Sequence, residues 1–243
     1  MAELRLNKLT VEASGRAIAR DITLALSSGQ LVVLMGPNGS GKSSFVNAIM
    51  GHPRYRLTSG QVLLDDEDVT ALATEKKARL GIFLSPQHVP EIAGVTMTNF
   101  LHRAHRAVTG EEIPVMEFHA RAKAKAEELG IDPAFLRREV NHGFSGGEKK
   151  QAEILALALL GAKFALLDEI DSGVDVDAQK RIMGAIERER ARGLGVLLIT
   201  HNAHVADLVA PDRVLLMRAG TIVEEGGKEL AERVAREGFE SAA

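Results

Sequence analysis

One run constrains this chain more than any other: Gly36-Pro37-Asn38-Gly39-Ser40-Gly41-Lys42-Ser43, with Ser44 directly after it. It fills the pattern G-x-x-x-x-G-K-[ST], a loop whose backbone N–H groups cradle phosphates because glycine lets them come close. An apolar run, Leu31–Met35, precedes the loop, and a helical pattern, residues 43–50, follows it. Strand, loop and helix in that order aim the positive end of a helix dipole at the bound anion. Lys42 is expected to reach the β- and γ-phosphates, and the Ser43 hydroxyl to ligate Mg²⁺.

A strand feeding such a loop asks for a sheet around it. Residues 4–11 alternate roughly, Ile22-Thr23-Leu24-Ala25-Leu26 runs into a Ser27-Ser28-Gly29 turn, and further strands are expected at 61–65, 81–85, 164–168, 195–200 and 213–217. Helical patterns separate most of them, which predicts a mainly parallel sheet covered on both faces. Residues 90–155 differ: they lack strand signals and carry polar helical patterns such as residues 117–129. They are expected to form a helical lobe inserted between core segments 1–89 and 156–243 of a single domain. The run Glu187-Arg188-Glu189-Arg190 reads as the solvated face of a helix that buries Ile182, Ala185 and Ile186.

Composition narrows the chemistry. With 243 residues the chain can bury a sizeable core, and without cysteine it offers no disulfide, thiolate zinc site or cysteine-held cluster. A net charge of −3 argues against a general nucleic-acid binder. Residues 1–13 show no apolar leader core, and no stretch is long and apolar enough for a membrane span, so the expectation is a soluble, cytoplasmic protein without direct membrane insertion.

The second chemical signal is Phe164-Ala165-Leu166-Leu167-Asp168-Glu169, an apolar strand ending in two acids. Such a strand delivers its carboxylates to the ligand edge of an open α/β sheet. Asp168 is expected to hold Mg²⁺ through water and Glu169 to orient and polarise the attacking water. The third is Phe144-Ser145-Gly146-Gly147-Glu148, where a serine and two glycines open a helix over residues 148–160.

These last residues resemble the signature of the ATP-binding-cassette (ABC) ATPases, and the resemblance runs through nearly the whole chain. It implies a phosphate-loop α/β cassette with an N-terminal antiparallel β portion and an inserted helical subdomain, hydrolysing ATP with Mg²⁺. It also implies roles for Gln87, in Leu84-Ser85-Pro86-Gln87, as the glutamine sensing Mg²⁺ and water, and for His201 as the switch histidine at the γ-phosphate. Ser172-Gly173-Val174-Asp175 matches the D-loop. In this family the phosphate loop of one copy and Ser145, Gly146, Gly147 and Glu148 of the other enclose each nucleotide, so a transient head-to-tail pair is implied. No aromatic residue stands in Val11-Glu12-Ala13-Ser14-Gly15, where the family usually stacks adenine.

Within the family, Gly143–Lys150, Asp168–Gly173 and Glu91–Val95 look like the SufC group of soluble ATPases, which serve iron–sulfur cluster assembly. That likeness implies SufB- and SufD-type scaffold proteins as partners; the alternatives are a membrane transporter's ATP-binding subunit and a nucleotide-gated clamp with little turnover. Asp168, Glu169, Asp171, Asp175 and Asp177 crowd one segment, and Lys149 or Lys150 could restrain Glu169 as its ion-pair partner. His102, His105 and His119 read as a solvated polar face rather than a metal site. Val95, Met97, Phe100 and Leu101 read equally as core or as a partner-docking surface.

Overall fold

The computed structural model describes residues 2–85 and 91–241. In chain order the elements are β1 (Glu3–Ala13), β2 (Arg16–Ser27), β3 (Leu31–Met35), α1 (Lys42–Ile49), β4 (Arg56–Leu64), β5 (Glu67–Asp68), α2 (Thr74–Arg79) and β6 (Ile82–Ser85). Next come β7 (Ile92–Thr96), α3 (Met97–Thr109), α4 (Val115–Leu129), a 3₁₀ turn at Pro133–Arg137, β8 (Glu139–Val140), α5 (Gly146–Leu159) and β9 (Phe164–Asp168). The chain finishes with α6 (Val176–Ala191), β10 (Gly195–Thr200), α7 (Val205–Leu208), β11 (Arg213–Arg218), β12 (Thr221–Gly226) and α8 (Lys228–Ser241).

Among the described residues the central sheet runs β12-β11-β3-β10-β9-β6, parallel except for β12, which returns antiparallel beside β11. Its inner strands are continuous apolar runs because both faces are covered. On β3, Leu31, Val33 and Met35 face one core and Val32 and Leu34 the other, as the two-residue period of a strand demands. The first core lies against the helices, the second against α1 and the antiparallel sheet β2-β1-β4-β5. The imperfect alternation of residues 4–11 has a local cause: the β1–β2 register slips between Leu6 and Leu9, where Lys8 takes a φ of 49°.

Register then decides what shares an edge. Thr200 pairs with Met35, Ile199 with Asp168, and Ser85 with Leu167, so the carboxyl ends of β3, β10, β9 and β6 line up. The phosphate loop, the acid pair and His201 all leave the sheet there, where ligands of open α/β sheets bind.

Several expectations change in three dimensions. The region after residue 90 is helical but also holds a short antiparallel pair, β7 with β8, joining Ile92 to Val140. The strand was illegible because Ala93, Gly94 and Thr96 offer no apolar alternation. His105 is buried, not solvated, stacking on Phe118 with ring centroids 5.4 Å apart. His102 Nε2 meets the Ile113 carbonyl at 2.7 Å, and His119 pairs with Thr98. Met97 and Leu101 are core residues, with Val95 and Phe100 packed against them. Helix α6 does bury Ile182, Ala185 and Ile186. Arg190 on it is not simply solvated, for it donates to the carbonyls of Gly29 (3.0 Å) and Ala210 (2.8 Å) and to Asp212 (2.9 Å).

Candidate active site

The phosphate loop wraps a cavity of about 560 Å³ lined by Ile18, Asn38, Gly39, Gly41, Lys42, Ser43, Ser44 and Glu169. Helix α1 starts at Gly41, which has a φ of 103° and no side chain capping the first turn, so the helix's leading N–H groups face the cavity unoccupied by any side-chain cap. A Cβ on Gly41 would sit 2.8 Å from the Ile18 carbonyl, and one on Gly36 only 2.2 Å from that of Met217. Those glycines leave room for backbone and for phosphate oxygens, not for side chains. Ser40 is buried, and its carbonyl accepts from the Gly220 N–H at 3.0 Å, which ties the loop to the β11–β12 turn.

Lys42 is folded into the loop, its Nζ donating to the carbonyls of Gly36 (2.7 Å) and Pro37 (2.9 Å). Burial lowers its pKa, while the charges of Glu169 and Asp168 oppose that shift. Ser43 Oγ donates to Asp168 Oδ1 at 2.9 Å. Asp168 is fully buried, its other oxygen Oδ2 has no hydrogen-bond partner among the described residues, and burial raises its pKa. An orphaned carboxylate oxygen beside a serine hydroxyl is a donor set that fits a hard divalent cation keeping several waters. No group of three or more His, Asp or Glu side chains suited to a metal occurs among the described residues.

Glu169 follows with φ 51°, uncommon for a residue with a side chain, fixed by its N–H bonding the Ile199 carbonyl at 3.0 Å. Its Oε1 meets His201 Nδ1 at 3.0 Å. Neither lysine takes that place: Lys150 pairs with Glu153 at 3.3 Å and Lys149 with Glu91 at 3.4 Å. Gln87 lies outside the described residues.

The glycine–serine motif stands apart from this cavity. Ser145 caps α5, accepting from the Glu148 N–H (3.2 Å) while Glu148 accepts from the Ser145 N–H (2.8 Å), a capping box of about 1 kcal/mol. Arg138 bonds Glu148, which holds that carboxyl below its usual range, and stacks over Phe144 at 4.3 Å. Ser145 and Gly146 are exposed, and none of Ser145–Glu148 lines the cavity. Asp175 likewise caps α6 through the Ala178 N–H at 2.8 Å.

The sequence reading gave no separate part to Asp171. Thr200 Oγ1 donates to its Oδ2 at 2.7 Å, its Oδ1 is buried without a partner among the described residues, and burial raises its pKa. A carboxyl whose folded pKa lies above the unfolded value costs stability when ionised, and the cost fades as pH falls through the folded pKa. Asp171→Asn is therefore expected to raise the melting temperature by about 2–4 °C at mildly alkaline pH, with the gain shrinking on acidification. Thermal denaturation at several pH values checks this; an equal gain at every pH would contradict it.

A phosphate loop at the head of α1, paired acids on the next strand but one, and a histidine at the end of β10 define a phosphate-loop nucleotide-binding core. The ABC transporter family model matches residues 19–172. The chain is 42% identical over 239 residues to Vegetative protein 296 of Bacillus subtilis, covering 98% of this chain and 92% of that one. It is 42% identical over 241 residues to a probable ABC transporter ATP-binding protein of Streptococcus pyogenes, covering 98% and 94%. A dimeric bacterial ABC transporter cassette shares its fold with a TM-score of 0.81 at 21% identity, covering 93% of this chain and 98% of that one. The chain belongs to the ABC transporter family and is one of its ATP-hydrolysing cassettes.

Proposed function

We propose that this chain hydrolyses Mg²⁺-ATP at the interface of two head-to-tail cassettes and passes the resulting movement to a separate partner. The observation that carries the reading is the separation of the two halves of the site: the phosphate loop, Asp168 and Glu169 share one cavity, while exposed Ser145 and Gly146 present a helix N-terminus elsewhere. In this reading Lys42 and the loop N–H groups between Gly36 and Ser44, Pro37 having none, stabilise the β- and γ-phosphates. Ser43, Asp168 and Gln87 hold Mg²⁺. Glu169 orients water, His201 meets the γ-phosphate, and Ser145, Gly146, Gly147, Glu148 and Asp175 serve the nucleotide of the opposite copy. The dimeric state of the cassette with the same fold supports the pairing.

For the partner, the likeness to the Streptococcus probable ABC transporter ATP-binding protein favours the ATP-binding subunit of a transporter. No helix among the described residues is long and apolar enough to cross a membrane. The second reading, a SufC-like motor on a SufB–SufD scaffold, is supported by Gly143–Lys150 and Asp168–Gly173. Affinity capture from soluble and detergent-solubilised fractions, with iron and sulfide assays on what is captured, separates them. A permease supports the transporter reading; cysteine-bearing soluble scaffolds that carry iron and sulfide support the second.

A further inference from the structure

Three buried polar side chains under the carboxylate edge take no part in the reaction just described. Ser85 ends β6 with 0% exposure, and Lys150 (8%) and Glu153 (7%) lie on the buried face of α5 among Ala152, Ile154 and Leu155. Ser85 donates its hydroxyl to Glu153 Oε2, and Lys150 Nζ lies 3.3 Å from Glu153 Oε1. Ser85 pairs in register with Leu167, the residue before Asp168. The Lys150 charge is felt at Asp168, whose buried Oδ2 has no hydrogen-bond partner among the described residues. A buried ion pair rarely stabilises more than apolar residues of the same volume, so its presence on this helix face asks for another reason.

We propose that Glu153 is a positioning residue: with Ser85 it holds the Lys150 ammonium away from Asp168, keeping that carboxylate open to the divalent cation. The inference rests on the Mg²⁺ reading above. Two cations compete for one buried carboxylate, and desolvation makes the loser's exclusion steep. Without the Glu153 carboxylate, the buried Lys150 charge is left with Asp168 as an acid on which it acts. Glu153 also keeps the net charge beside that oxygen low, so its loss repels a divalent ion even before Lys150 moves.

The test uses the full chain with a non-hydrolysable ATP analogue and reads Mn²⁺ uptake by electron paramagnetic resonance. Glu153→Gln, which keeps shape and an acceptor for Ser85, is expected to weaken Mn²⁺ binding about tenfold. It should also raise the Mg²⁺ concentration for half-maximal hydrolysis while kcat at saturating Mg²⁺ stays within threefold. Adding Lys150→Met should restore Mn²⁺ affinity to within about twofold of wild type, a rescue that mere loss of packing would not give. Unchanged uptake in Glu153→Gln, or a loss that Lys150→Met does not relieve, overturns the proposal. A wild-type chain that takes up no Mn²⁺ with nucleotide overturns the cation site itself. Should Glu153→Gln fail to fold, Ser85→Ala loosens the same carboxylate and must weaken Mn²⁺ binding in the same direction.

Discussion

Glu169→Gln is expected to lower the ATP turnover rate by about 10²–10⁴-fold, the usual range for removing a general base, while leaving ATP affinity within about twofold. The amide matches the carboxylate in size, and its oxygen can still meet His201, which now stands 3.0 Å from Oε1. What disappears is the negative oxygen that, in the proposed reaction, draws a proton from water. The backbone supports this assignment independently: Glu169 is held at φ 51°, a conformation costing about 1 kcal/mol or more for a residue with a Cβ. Single-turnover hydrolysis beside equilibrium nucleotide binding checks both halves. Hydrolysis unchanged by the substitution would favour a nucleotide-gated clamp or a different base; loss of binding would mean that Glu169 is structural.

Lys42→Ala is expected to cost at least about 10²-fold in turnover and to weaken ATP binding strongly, because a preorganised cation in a dry loop cannot be replaced by solvent. The lysine is only 4% exposed and already inside the loop, donating to the Gly36 and Pro37 carbonyls. Phosphate oxygens offer Nζ a charged partner in place of those neutral ones, and burial makes the exchange favourable. In the empty protein the same substitution leaves carbonyls short of a donor, so a stability loss of about 1–3 kcal/mol accompanies it. Isothermal titration with ATP and thermal denaturation separate the two effects. A variant that binds ATP normally would show that the loop N–H groups alone suffice.

Much of the site could be read from the chain because the chemistry is written in local runs. Gly36 to Ser44 must be contiguous, since one loop and one helix N-terminus make the cradle, and Phe164–Asp168 announces itself as a buried strand with acids at its end. Ser145 and Glu148 form their capping box three residues apart, so that feature too is local. Asp171 and Glu153 were visible only as letters. Nothing in Ile170-Asp171-Ser172 says that Thr200, from a strand that follows α6, will bond the carboxyl. Likewise, the spacing of Lys150 and Glu153 permits an ion pair on any helix, and only the tertiary structure, with Ser85 at the end of β6 bonded to Glu153, reveals it as buried.

The same division explains the corrections. A lysine partner for Glu169 was a reasonable expectation from charge density alone, yet the geometry gave that carboxylate to His201 and directed both lysines elsewhere. His102, His105 and His119 looked polar because histidine is polar; the contact of His102 and His105 with Phe118 depends on where α4 packs on α3.

By itself, then, the sequence determined the class of fold, the phosphate loop and the identity of the two acids, since hydrophobic periodicity and backbone cradles act over a few neighbouring residues. Tertiary structure alone decided which carboxylate meets Ser43, which meets His201 and which lies buried against Lys150. Those choices follow from strand register and helix packing, which join residues far apart in the chain and set, through burial, how strongly each charge is felt.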